Sequence, residues 1–514
     1  MLKFVVGLKP FLYHAFEKGG NEILISIQPT ISWSSGPGKT NLKNLEFIPE
    51  KFHVAVPRNN SCGPLLGFQC VKSRRFSNRN LLSLEDRGLV SAIFPESRHA
   101  FTNLCNGKEQ TIYAGFDPTA DSLHVGNLAV IMMLLHCQRA GHRVIALIGG
   151  ATGLVGDPSG KNAERPELDP TLVRENCYKI GKNISTVFEN HEKYFWDSKG
   201  GKENLPTLKV VNNRDWYESI SSLELVGKFG RFFRITDMLS RQSVKSRLDL
   251  GEGMSFTEFS YQIFQAYDWY HLHKTFGCNI QIGGNDQMGN MVSGHELISR
   301  ALKKQVYGLT VPLITSETGN KYGKTAGNAV WLDPVKTSPF DLYQFLVRTA
   351  DADVKHLLEV FTFKTVQEIE SIMKKHMASP EKKYAATKLA EGVTKLVHGE
   401  EGLKTAARAT EALYSENIEA LSSLTIAEVT QIFNNPSSAV GTADLLLEPG
   451  TTVLDMALKA GCFKTLNDAL RIIEAGGFYL NYQRIKNCQE VIVPGIHILP
   501  NHMSLARVGK KNYY

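Results

Sequence analysis

The stretch from residue 110 to residue 150 alternates between apolar strands and a helix, and this alternation limits the fold more than any other feature of the chain. Residues 111–116 form a short apolar run, residues 123–140 have the length and spacing of a helix, and residues 142–150 form a second apolar run that ends in two glycines. Two strands joined by a helix normally lie parallel in one sheet. The pattern therefore predicts an α/β fold with a parallel sheet, whose ligands bind beyond the carboxyl ends of the strands.

A glycine-rich stretch follows the second predicted strand, but it matches neither of the common phosphate-binding loops. A P-loop would need glycine at position 155 and serine or threonine at position 162, where the chain has Val155 and Asn162, and the dinucleotide motif Gly-x-Gly-x-x-Gly is also absent from this stretch. The stretch instead presents Asp157 and Lys161, and Arg165 follows at helical spacing. For the two basic residues, a solvated surface is the alternative to a role in binding.

Two short segments about 200 residues apart carry the residues best suited to phosphate chemistry. The first contains His124-Val-Gly-Asn127 at the junction of the predicted strand and helix, where backbone amides favour anions. The second is Lys321-Tyr-Gly-Lys324-Thr325, which places two ammonium groups three residues apart, as a clamp on a polyphosphate needs. Together the segments indicate a polyphosphate ligand.

The two segments resemble the His-Ile-Gly-His and Lys-Met-Ser-Lys-Ser signatures of class I aminoacyl-tRNA synthetases, and from about residue 83 onward the chain resembles the tyrosyl enzymes of bacterial and mitochondrial type. One departure is Asn127, which stands where most relatives have histidine and can form hydrogen bonds but cannot titrate. The resemblance implies a Rossmann-like catalytic domain with an inserted dimerisation region over residues 83–335. It further implies a helical anticodon-binding domain over residues 336–435 and a small S4-like α+β RNA-binding domain over residues 448–514.

The resemblance also assigns roles to single residues of this sequence. Tyrosine binding falls to seven of them, namely Tyr113, Asp157, Tyr261, Gln265, Asp268, Gln281 and Gln287. Catalysis and ATP binding fall to a second group, namely Gly115, Asp117, Thr119, His124, Asn127, Gly284, Asp286, Lys321, Lys324 and Thr325, with assistance at the pyrophosphate from Lys161 and Arg165. Binding of tRNA falls to four residues near the C-terminus, namely Arg471, Arg507, Lys510 and Lys511.

One part of the tyrosine site is also indicated by spacing. Tyr261, Gln265 and Asp268 recur at intervals of four and three residues, so a helix places them on one face beside apolar neighbours. A pocket wall is one interpretation of this face, and a solvent-exposed face is the other. In the family pattern, Tyr113 and Asp268 bind the phenol of the substrate, whereas Asp157, Tyr261 and Gln265 bind its ammonium group.

The resemblance implies an enzyme that activates tyrosine with ATP and then transfers it to tRNA(Tyr), and that acts as a homodimer. Mg²⁺ is expected to arrive bound to ATP, and no metal is expected on the protein itself. Two alternatives remain open at this point. One is an RNA-binding or splicing protein that has lost aminoacylation, against which the retained lysines and the complete set of pocket residues argue. The other is a tryptophan enzyme, which Tyr113 and Asp268 disfavour.

Residues 1–76 differ in composition from the rest of the chain. They hold ten basic and four acidic residues, and so carry six of the seven net positive charges. This composition, with Arg74-Arg75-Phe76-Ser77 as a processing site, predicts a transit peptide and a place in the mitochondrial matrix. A disordered tail or an extended gene model is the alternative. Because the remaining residues are nearly neutral, contacts with RNA should form a local patch.

Cysteine spacing and hydropathy exclude two further classes of protein. Eight cysteines occur without any Cys-x-x-Cys spacing, which predicts reduced thiols and no structural zinc. No apolar run reaches the roughly 18 residues that a membrane helix needs, so no spanning segment and no membrane partner are expected.

Overall fold

The computed structural model describes residues 79–514 with gaps, together with the backbone of two short strands near the N-terminus. The gaps fall at residues 161–162, 197–203, 250, 252, 316–321, 326–327, 415–416, 426–427, 429–444, 446 and 510–511. The side chains of Lys324, Thr325 and Asn328 also lie outside the description. The chain divides into two compact units, Met1–Val71 and Lys72–Tyr514.

The first unit contains two described strands, β1 (Phe11–Phe16) and β2 (Glu22–Ile27), which pair antiparallel with Phe11 opposite Ile27. The rest of the predicted transit peptide over residues 1–76, including its processing site, lies outside the described residues. The transit peptide therefore stays a prediction.

Six strands form the central sheet of the second unit, namely β3 (Ala92–Phe94), β4 (Thr111–Phe116), β5 (Arg143–Ile148), β6 (Lys209–Asn212), β7 (Cys278–Gly284) and β8 (Tyr307–Val311). Their order across the sheet is β3-β8-β7-β4-β5-β6, and every neighbouring pair is parallel except β3 with β8. The parallel sheet predicted from the sequence is thus confirmed, with β4 and β5 as its two predicted strands. The chain runs from β4 outward to β6 and then crosses to β7 on the other side of β4, so the carboxyl ends of β4 and β7 form a topological switch point.

Ten helices accompany the sheet in the described residues, namely α1 (Arg98–Gly107), α2 (Val125–Arg139), α3 (Thr152–Val155), α4 (Pro170–His191), α5 (Arg214–Tyr217), α6 (Ser222–Glu224), α7 (Ile235–Leu239), α8 (Gln242–Asp249), α9 (Phe256–Phe276) and α10 (Met288–Leu302). Short 3₁₀ or π turns lie at Leu81–Arg87, Glu192–Trp196, Leu225–Phe229, Gly230–Phe232 and Asn285–Gln287. Helix α2 is apolar on nearly all faces, and Leu128, Ile131 and Met132 are fully buried in it. Burial of each such side chain contributes roughly 1.5–3 kcal/mol, so α2 is firmly anchored beside β4.

Two strands of two residues each, β9 (Lys324–Thr325) and β10 (Asn328–Ala329), follow β8 in the chain. A helical region comes next, with α11 (Pro339–Val347), α12 (Asp351–Phe361), α13 (Val366–Ala378), α14 (Tyr384–Tyr414), α15 (Ile418–Ser422) and a 3₁₀ turn at Pro380–Lys382. Thr365 and Glu368 form a reciprocal cap at the start of α13. Helix α14 is interrupted at Gly399, whose φ of 73° is left-handed. Leu346 and Leu389 of this region join residues of α2 and the sheet in one apolar core. The helical region therefore packs directly on α2 and the central sheet.

The last part of the chain has a small core of its own, formed by α16 (Val453–Lys459), α17 (Leu466–Glu474), β11 (Phe478–Leu480), β12 (Gln483–Ile485), β13 (Ala506–Val508) and β14 (Asn512–Tyr513). The strands form an antiparallel sheet in the order β12-β11-β13-β14. Strand alternation buries Phe478 and turns Tyr479 to the other face. Leu499 and Leu505 pack in one cluster with Leu413 of α14, which joins this part to the helical region. The S4 likeness and RNA role of this part stay predictions.

The cysteines of the described residues are thiols, most of them buried in the core. Six cysteines lie among these residues, all are free thiols, and five are buried. Burial raises the pKa of Cys105 to about 12, so this thiol stays protonated at neutral pH. No helix in the described part of the chain combines the length and apolarity needed to cross a bilayer.

Candidate active site

The candidate site lies at the switch point, where β4 and β7 end. Gly115 near the end of β4 is exposed, and a Cβ added there would meet no described atom within 4 Å. Asp117 follows β4, and the turn Asn285–Gln287 follows β7. The turns after both strands therefore border open space at the edge of the sheet where open α/β folds bind ligands.

Tyr113 on β4 and Asp268 on α9 form a buried end of the site, and both are 1% exposed. Neither the Tyr113 hydroxyl nor Oε1 of the buried Gln281 on β7 has a hydrogen-bond partner among the described residues. Buried polar atoms normally have partners, so a polar group of a ligand is the expected partner here. Burial raises the pKa of Tyr113 well above its usual value, so the phenol remains a neutral donor.

The Asp268 carboxyl group is fixed by two neighbours. It accepts hydrogen bonds from Trp216 Nε1 at 2.9 Å and from Asn213 Nδ2 at 3.0 Å. Burial raises the pKa of Asp268 to about 7, although these hydrogen bonds act in the opposite direction. Each carboxyl oxygen keeps a second lone pair, so Asp268 can still bind a ligand hydroxyl.

Asn213 and Trp216 were not among the residues predicted from the sequence. Asn213 directly follows β6, and besides Asp268 its Nδ2 contacts Thr152 Oγ1 at 2.9 Å, while its Oδ1 accepts from Ala151 N at 2.7 Å. A polar residue directly after a parallel strand is a signal that could have found it. Its partner Asp268 lies 55 residues further along the chain, and no local pattern reveals that pairing.

A pair of carboxylates, Asp117 and Asp157, forms the other part of the site. Asp117 accepts from Tyr261 Oη at 2.8 Å and from Thr152 Oγ1 at 2.8 Å. Asp157 accepts from Gln287 Nε2 at 2.7 Å. Removal from water and then the charge of Asp157 raise the pKa of Asp117 to about 6. Two neighbouring carboxylates attract a cationic group, so this part of the site is suited to an ammonium ion.

Helix α9 brings its three predicted residues to the site. Tyr261 reaches the carboxylate pair and Asp268 the buried end. Gln265 lies between them along the helix, and its Oε1 is buried without a partner in the described part of the chain. Asp117 was assigned to the nucleotide by resemblance, but here it belongs to the same hydrogen-bonded group as Tyr261.

The turn after β5 requires glycine because two side chains lie directly over it. A Cβ on Gly149 would lie 2.0 Å from Asp117 Oδ1, and a Cβ on Gly150 would lie 2.3 Å from Asn212 Oδ1. Real Cβ atoms essentially never approach other atoms more closely than 3.0 Å. The two glycines thus allow Asp117 to occupy its place in the site.

The first signature forms the start of α2. His124 occupies the N-cap position, and its backbone amide donates to Asn127 Oδ1 at 3.1 Å. Asn127 therefore satisfies one amide at the helix start through its side-chain oxygen. Val125 N donates to Val330 O at 2.9 Å and Asn127 N donates to His124 O at 2.8 Å, so these two amides are already bonded within the protein. The positive end of the α2 dipole remains as the feature that favours anions such as phosphates.

The second signature lies against the first. A Cβ on Gly323 would lie 3.3 Å from Gly126 N, which places this loop directly beside the start of α2. The loop continues into an antiparallel pair of two-residue strands, β9 (Lys324–Thr325) and β10 (Asn328–Ala329). The backbone thus brings the two signatures together. Lys321 and the side chains of β9 lie outside the described residues.

The remaining predicted nucleotide residues lie around the opening of the site. Thr119 and Asp286 are exposed, and Asp286 Oδ2 lies 3.3 Å from Gln287 Nε2. A Cβ on Gly284 would lie 2.4 Å from Asp286 Oδ1, so glycine is needed beside this carboxylate. Arg165 Nε donates to the backbone oxygen of Asp157 at 3.0 Å. Lys161 lies outside the described residues.

A cavity of about 520 Å³ borders this opening. Its lining consists of Thr119, residues 153–156, residues 164–168 and Thr257. This volume falls within the usual range for small-molecule sites. Arg165 is part of the lining, so one predicted phosphate-binding side chain borders the cavity.

The predicted tRNA-binding residues lie in the C-terminal part of the chain. Arg471 is exposed and forms an ion pair with Asp468 at 3.0 Å. The Arg507 guanidinium lies 4.2 Å from the centroid of the Tyr479 ring, and Arg507 stands opposite Tyr513 in the sheet. Lys510 and Lys511 lie outside the described residues.

Comparison with known proteins places the chain in a family. The model of the family "tRNA synthetases class I (W and Y)" matches residues 106–415. The chain is 54% identical over 443 residues to a mitochondrial tyrosine–tRNA ligase of Drosophila melanogaster, covering 86% of this chain and 95% of that protein. It is 44% identical to the mitochondrial tyrosine–tRNA ligase of Homo sapiens, covering 84% of this chain and 91% of that protein.

A solved structure agrees with this assignment. A C-terminally truncated mitochondrial tyrosyl-tRNA synthetase of Aspergillus nidulans matches with a TM-score of 0.60 and 32% identity, covering 67% of this chain and 95% of that one. The region that the family model matches includes both signatures and five of the six strands of the sheet, all except β3. The chain therefore belongs to the class I tRNA synthetases of the tryptophan and tyrosine group.

Proposed function

We propose that this chain is a tyrosine–tRNA ligase, which first forms tyrosyl-adenylate from tyrosine and ATP and then transfers the tyrosyl group to the 3′ end of tRNA(Tyr). The observation that carries the proposal is the buried pair of Tyr113 and Asp268. The hydroxyl of Tyr113 has no hydrogen-bond partner among the described residues. The relatives named tyrosine–tRNA ligase, at 54% and 44% identity, support the same substrate.

Hydrogen-bonding capacity favours tyrosine over tryptophan at this pair. A substrate phenol can donate to Asp268 and accept from the Tyr113 hydroxyl at the same time, whereas an indole N–H can only donate. Tryptophan would leave Tyr113 unpaired in a buried site, at a cost of roughly 1–3 kcal/mol. Phenylalanine would leave both groups unpaired, so its binding should be weaker still.

In the first step, a carboxylate oxygen of tyrosine attacks the α-phosphorus of ATP, and pyrophosphate leaves. The protein has to align the reactants and stabilise the charge that develops on the phosphates. Asp117 and Asp157 hold the substrate ammonium group, with Tyr261 orienting Asp117 by its 2.8 Å hydrogen bond. Gln265, Gln281 and Gln287 complete the lining around the amino acid.

The phosphates bind at the start of α2. His124 and the positive end of the α2 dipole act on them from one side, and Lys321, Lys324 and Thr325 of the second signature contact them from the other. Thr119 assists His124, and Lys161 and Arg165 bind the leaving pyrophosphate. The ribose and base are positioned by a further set of residues, namely Gly115, Asn127, Gly284 and Asp286.

Mg²⁺ enters this site with ATP and neutralises part of the phosphate charge when bound. Among the residues that the structure describes, no three His, Cys, Asp or Glu side chains are grouped so that they could hold a metal ion. We propose that the protein contributes by binding the nucleotide that carries the ion.

In the second step, the 3′-terminal ribose of tRNA accepts the tyrosyl group. The helical region contacts the anticodon part of the tRNA, and the C-terminal part contacts its backbone through Arg471, Arg507, Lys510 and Lys511. The contact of Arg507 with the Tyr479 ring supports this role, because cationic and aromatic side chains together bind phosphates and bases.

The active form is a homodimer. The segment between α6 and the start of α9 exposes large apolar side chains, with Leu223 81%, Ile235 68% and Phe256 77% exposed. Exposed apolar patches mark interfaces, which supports this segment as the dimerisation region. Light scattering of the purified protein should give the mass of two chains, and the mass of one chain would contradict the proposal.

The enzyme acts in the mitochondrial matrix. Relatives named as mitochondrial enzymes at 54% and 44% identity support this location, as does the basic composition of residues 1–76. The mature protein should then begin near Ser77. Sequencing the N-terminus of the protein isolated from mitochondria tests this expectation, and an intact Met1 would contradict it.

Charging of a total mitochondrial tRNA preparation tests the function directly. The full chain, ATP and labelled amino acid should give tyrosyl-tRNA, and sequencing the charged fraction should recover tRNA(Tyr). Labelled tryptophan should give no product. Tryptophan charging would favour the alternative enzyme, and RNA binding without any charging would favour a protein that has lost aminoacylation.

A further inference from the structure

Helix α4 carries three asparagines at intervals of seven residues, Asn176, Asn183 and Asn190. Seven residues make almost two turns of an α-helix, so the three side chains lie in a row on one face. Asparagine is a weak helix former, and none of the three occupies a cap position of α4. Each of them instead forms hydrogen bonds with another segment of the protein.

The first two asparagines hold the loop that connects β4 to α2. Asn176, which is 2% exposed, donates from Nδ2 to Pro118 O at 3.1 Å. Asn183 Oδ1 accepts from Ser122 Oγ at 3.0 Å and from Leu123 N at 3.3 Å. The loop that leads into the first signature is thereby fixed to α4 at two points.

The loop segment held by Asn183 also binds the chain that follows the second signature. Asp333 N donates to Ser122 Oγ at 3.1 Å, and Leu332 N donates to Leu123 O at 2.8 Å. Asn183 therefore contacts the junction at which the backbones around both signatures are joined.

The third asparagine holds the helical region. Asn190 Nδ2 donates to the carbonyl oxygens of Leu396 at 3.1 Å and Val397 at 3.3 Å, both in α14. These residues lie three and two positions before the interruption at Gly399, where helix carbonyls lack their usual amide partners. A Cβ on Gly399 would lie 3.3 Å from Asn190 Oδ1, so the two helices are in close contact here.

We propose that α4 is a rigid bridge between the ATP signatures and the helical region, and that Asn176, Asn183 and Asn190 are positioning residues of the ligase reaction. The proposal rests on the proposed function, because it assigns ATP to one end of the row and tRNA to the other. At 1.5 Å per residue, the bridge spans about 21 Å from Asn176 to Asn190. A tRNA bound by the helical region is thereby held at a fixed distance from the adenylate.

Aspartate substitutions separate acceptor from donor roles along the row. Aspartate keeps the acceptor oxygens of asparagine but lacks its amide donor. Asn183 acts as an acceptor, so Asn183→Asp keeps both hydrogen bonds, whereas Asn183→Ala loses them. Asn176 acts as a donor, so Asn176→Asp loses its bond and leaves a carboxylate facing the Pro118 carbonyl.

Tyrosine-dependent pyrophosphate exchange by the full chain tests the end of the row that holds the signatures. Asn183→Ala and Asn176→Asp should raise the KM for ATP about 10-fold, because the phosphate-binding groups are displaced, while the Kd for tyrosine stays unchanged. Asn183→Asp should retain the wild-type KM. Ser122→Ala removes the hydroxyl that bonds to both Asn183 Oδ1 and Asp333 N, so it disrupts the same junction from the other side and replaces Asn183→Ala if that variant does not fold. Unchanged ATP kinetics in Asn183→Ala, or equal losses in Asn183→Ala and Asn183→Asp, would overturn the proposal.

Asn190→Asp tests the other end of the row. This variant should exchange pyrophosphate at the wild-type rate, which also shows that it folds, while kcat/KM for tRNA charging falls about 10-fold. Unchanged charging, or equal losses in exchange and charging, would overturn the proposal. Absence of tyrosine-dependent exchange in the wild-type protein would instead refute the proposed function, so the two failures can be distinguished.

Discussion

Asp268 is the single residue on which substrate choice depends most directly. It is buried, it is fixed by Trp216 and Asn213, and its charge contributes to the raised pKa of Tyr113. We expect Asp268→Ala to weaken tyrosine binding by about 1.5–3 kcal/mol, because a charged partner of a buried hydroxyl is lost. Asp215→Ala, at a neighbouring exposed position, is the matched control and should bind as wild type. Calorimetric titration with tyrosine measures both, and wild-type affinity in Asp268→Ala would refute the assignment of the pocket.

The raised pKa of Asp268 also makes stability depend on pH. Its pKa is about 7 in the folded protein and near 3.8 in the unfolded chain, so between these values the folded state binds more protons. The free energy of unfolding from this group therefore falls as pH rises from about 4 to 7 and levels off above that range. Asp268→Asn should show a smaller fall than wild type in urea unfolding at pH 5 and pH 7. An equal fall in both proteins would show that Asp268 does not titrate in this window.

His124 is expected to act on the rate of adenylate formation and not on tyrosine binding. Its contact with the phosphates should strengthen mainly in the transition state. His124→Ala should therefore raise the activation free energy of exchange by about 2–4 kcal/mol and so slow the reaction. His99→Ala, at an exposed position, is the control and should exchange pyrophosphate at the wild-type rate. A large rise in the Kd for tyrosine with an intact exchange rate would assign His124 to amino-acid binding instead.

At the scale of elements, the turn after β5 determines where the carboxylate pair sits. Gly149→Ala would place a Cβ 2.0 Å from Asp117 Oδ1, so the Asp117 side chain must move. We expect weaker tyrosine binding and a loss of about 1–3 kcal/mol in unfolding free energy. Gly107→Ala is the matched control, because an added Cβ there meets no described atom within 4 Å. Urea unfolding and titration with tyrosine measure both variants. Equal unfolding free energies and equal tyrosine affinities in Gly149→Ala and Gly107→Ala would contradict this role for the turn.

The elements that position the site could be predicted because their signals are local. The apolar run over residues 111–116 and the glycines after residue 148 define β4 and β5, and the strand–helix–strand order makes them parallel. The spacing of Tyr261, Gln265 and Asp268 likewise placed these residues on one face of α9, and the burial of Tyr261 and Asp268 argues against the solvent-exposed alternative. In each case the signal lies within one element, so sequence periodicity suffices to find it.

The rest of the site depends on contacts between distant segments. The hydrogen bonds of Asp268 with Asn213 and of Gln287 with Asp157 join residues 55 and 130 positions apart. The seven-residue spacing of the α4 asparagines is visible in the sequence, but their partners are not, since each bonds to a carbonyl, a hydroxyl or an amide of a distant segment. Sequence periodicity does not reveal such pairs, because predicting them requires the order of the strands across the sheet.

For the whole molecule, activation and tRNA charging should be separable. The residues proposed to bind tyrosine and ATP lie between positions 113 and 325, whereas Arg471 and Arg507 lie in the C-terminal part. Removal of residues 448–514 should leave pyrophosphate exchange and abolish most tRNA charging, since phosphate contacts are lost. Some stability should also be lost, because Leu499 and Leu505 cover Leu413 of α14.

The variant Arg507→Gln separates these two effects in the intact protein. It keeps the covering leucines but removes one cation, so the salt dependence of tRNA binding should flatten by a slope of about one. Equal loss of exchange and charging in the truncated protein would show that the C-terminal part supports the catalytic fold instead of binding tRNA.

The assignment of this chain as a tyrosine-activating enzyme is tested most directly by amino-acid-dependent pyrophosphate exchange into ATP. The full chain should exchange pyrophosphate only when tyrosine is present, because only a phenol satisfies both Tyr113 and Asp268. Tryptophan and phenylalanine should give no exchange above background. Exchange driven by tryptophan, or no exchange with any of the three amino acids, would contradict the assignment.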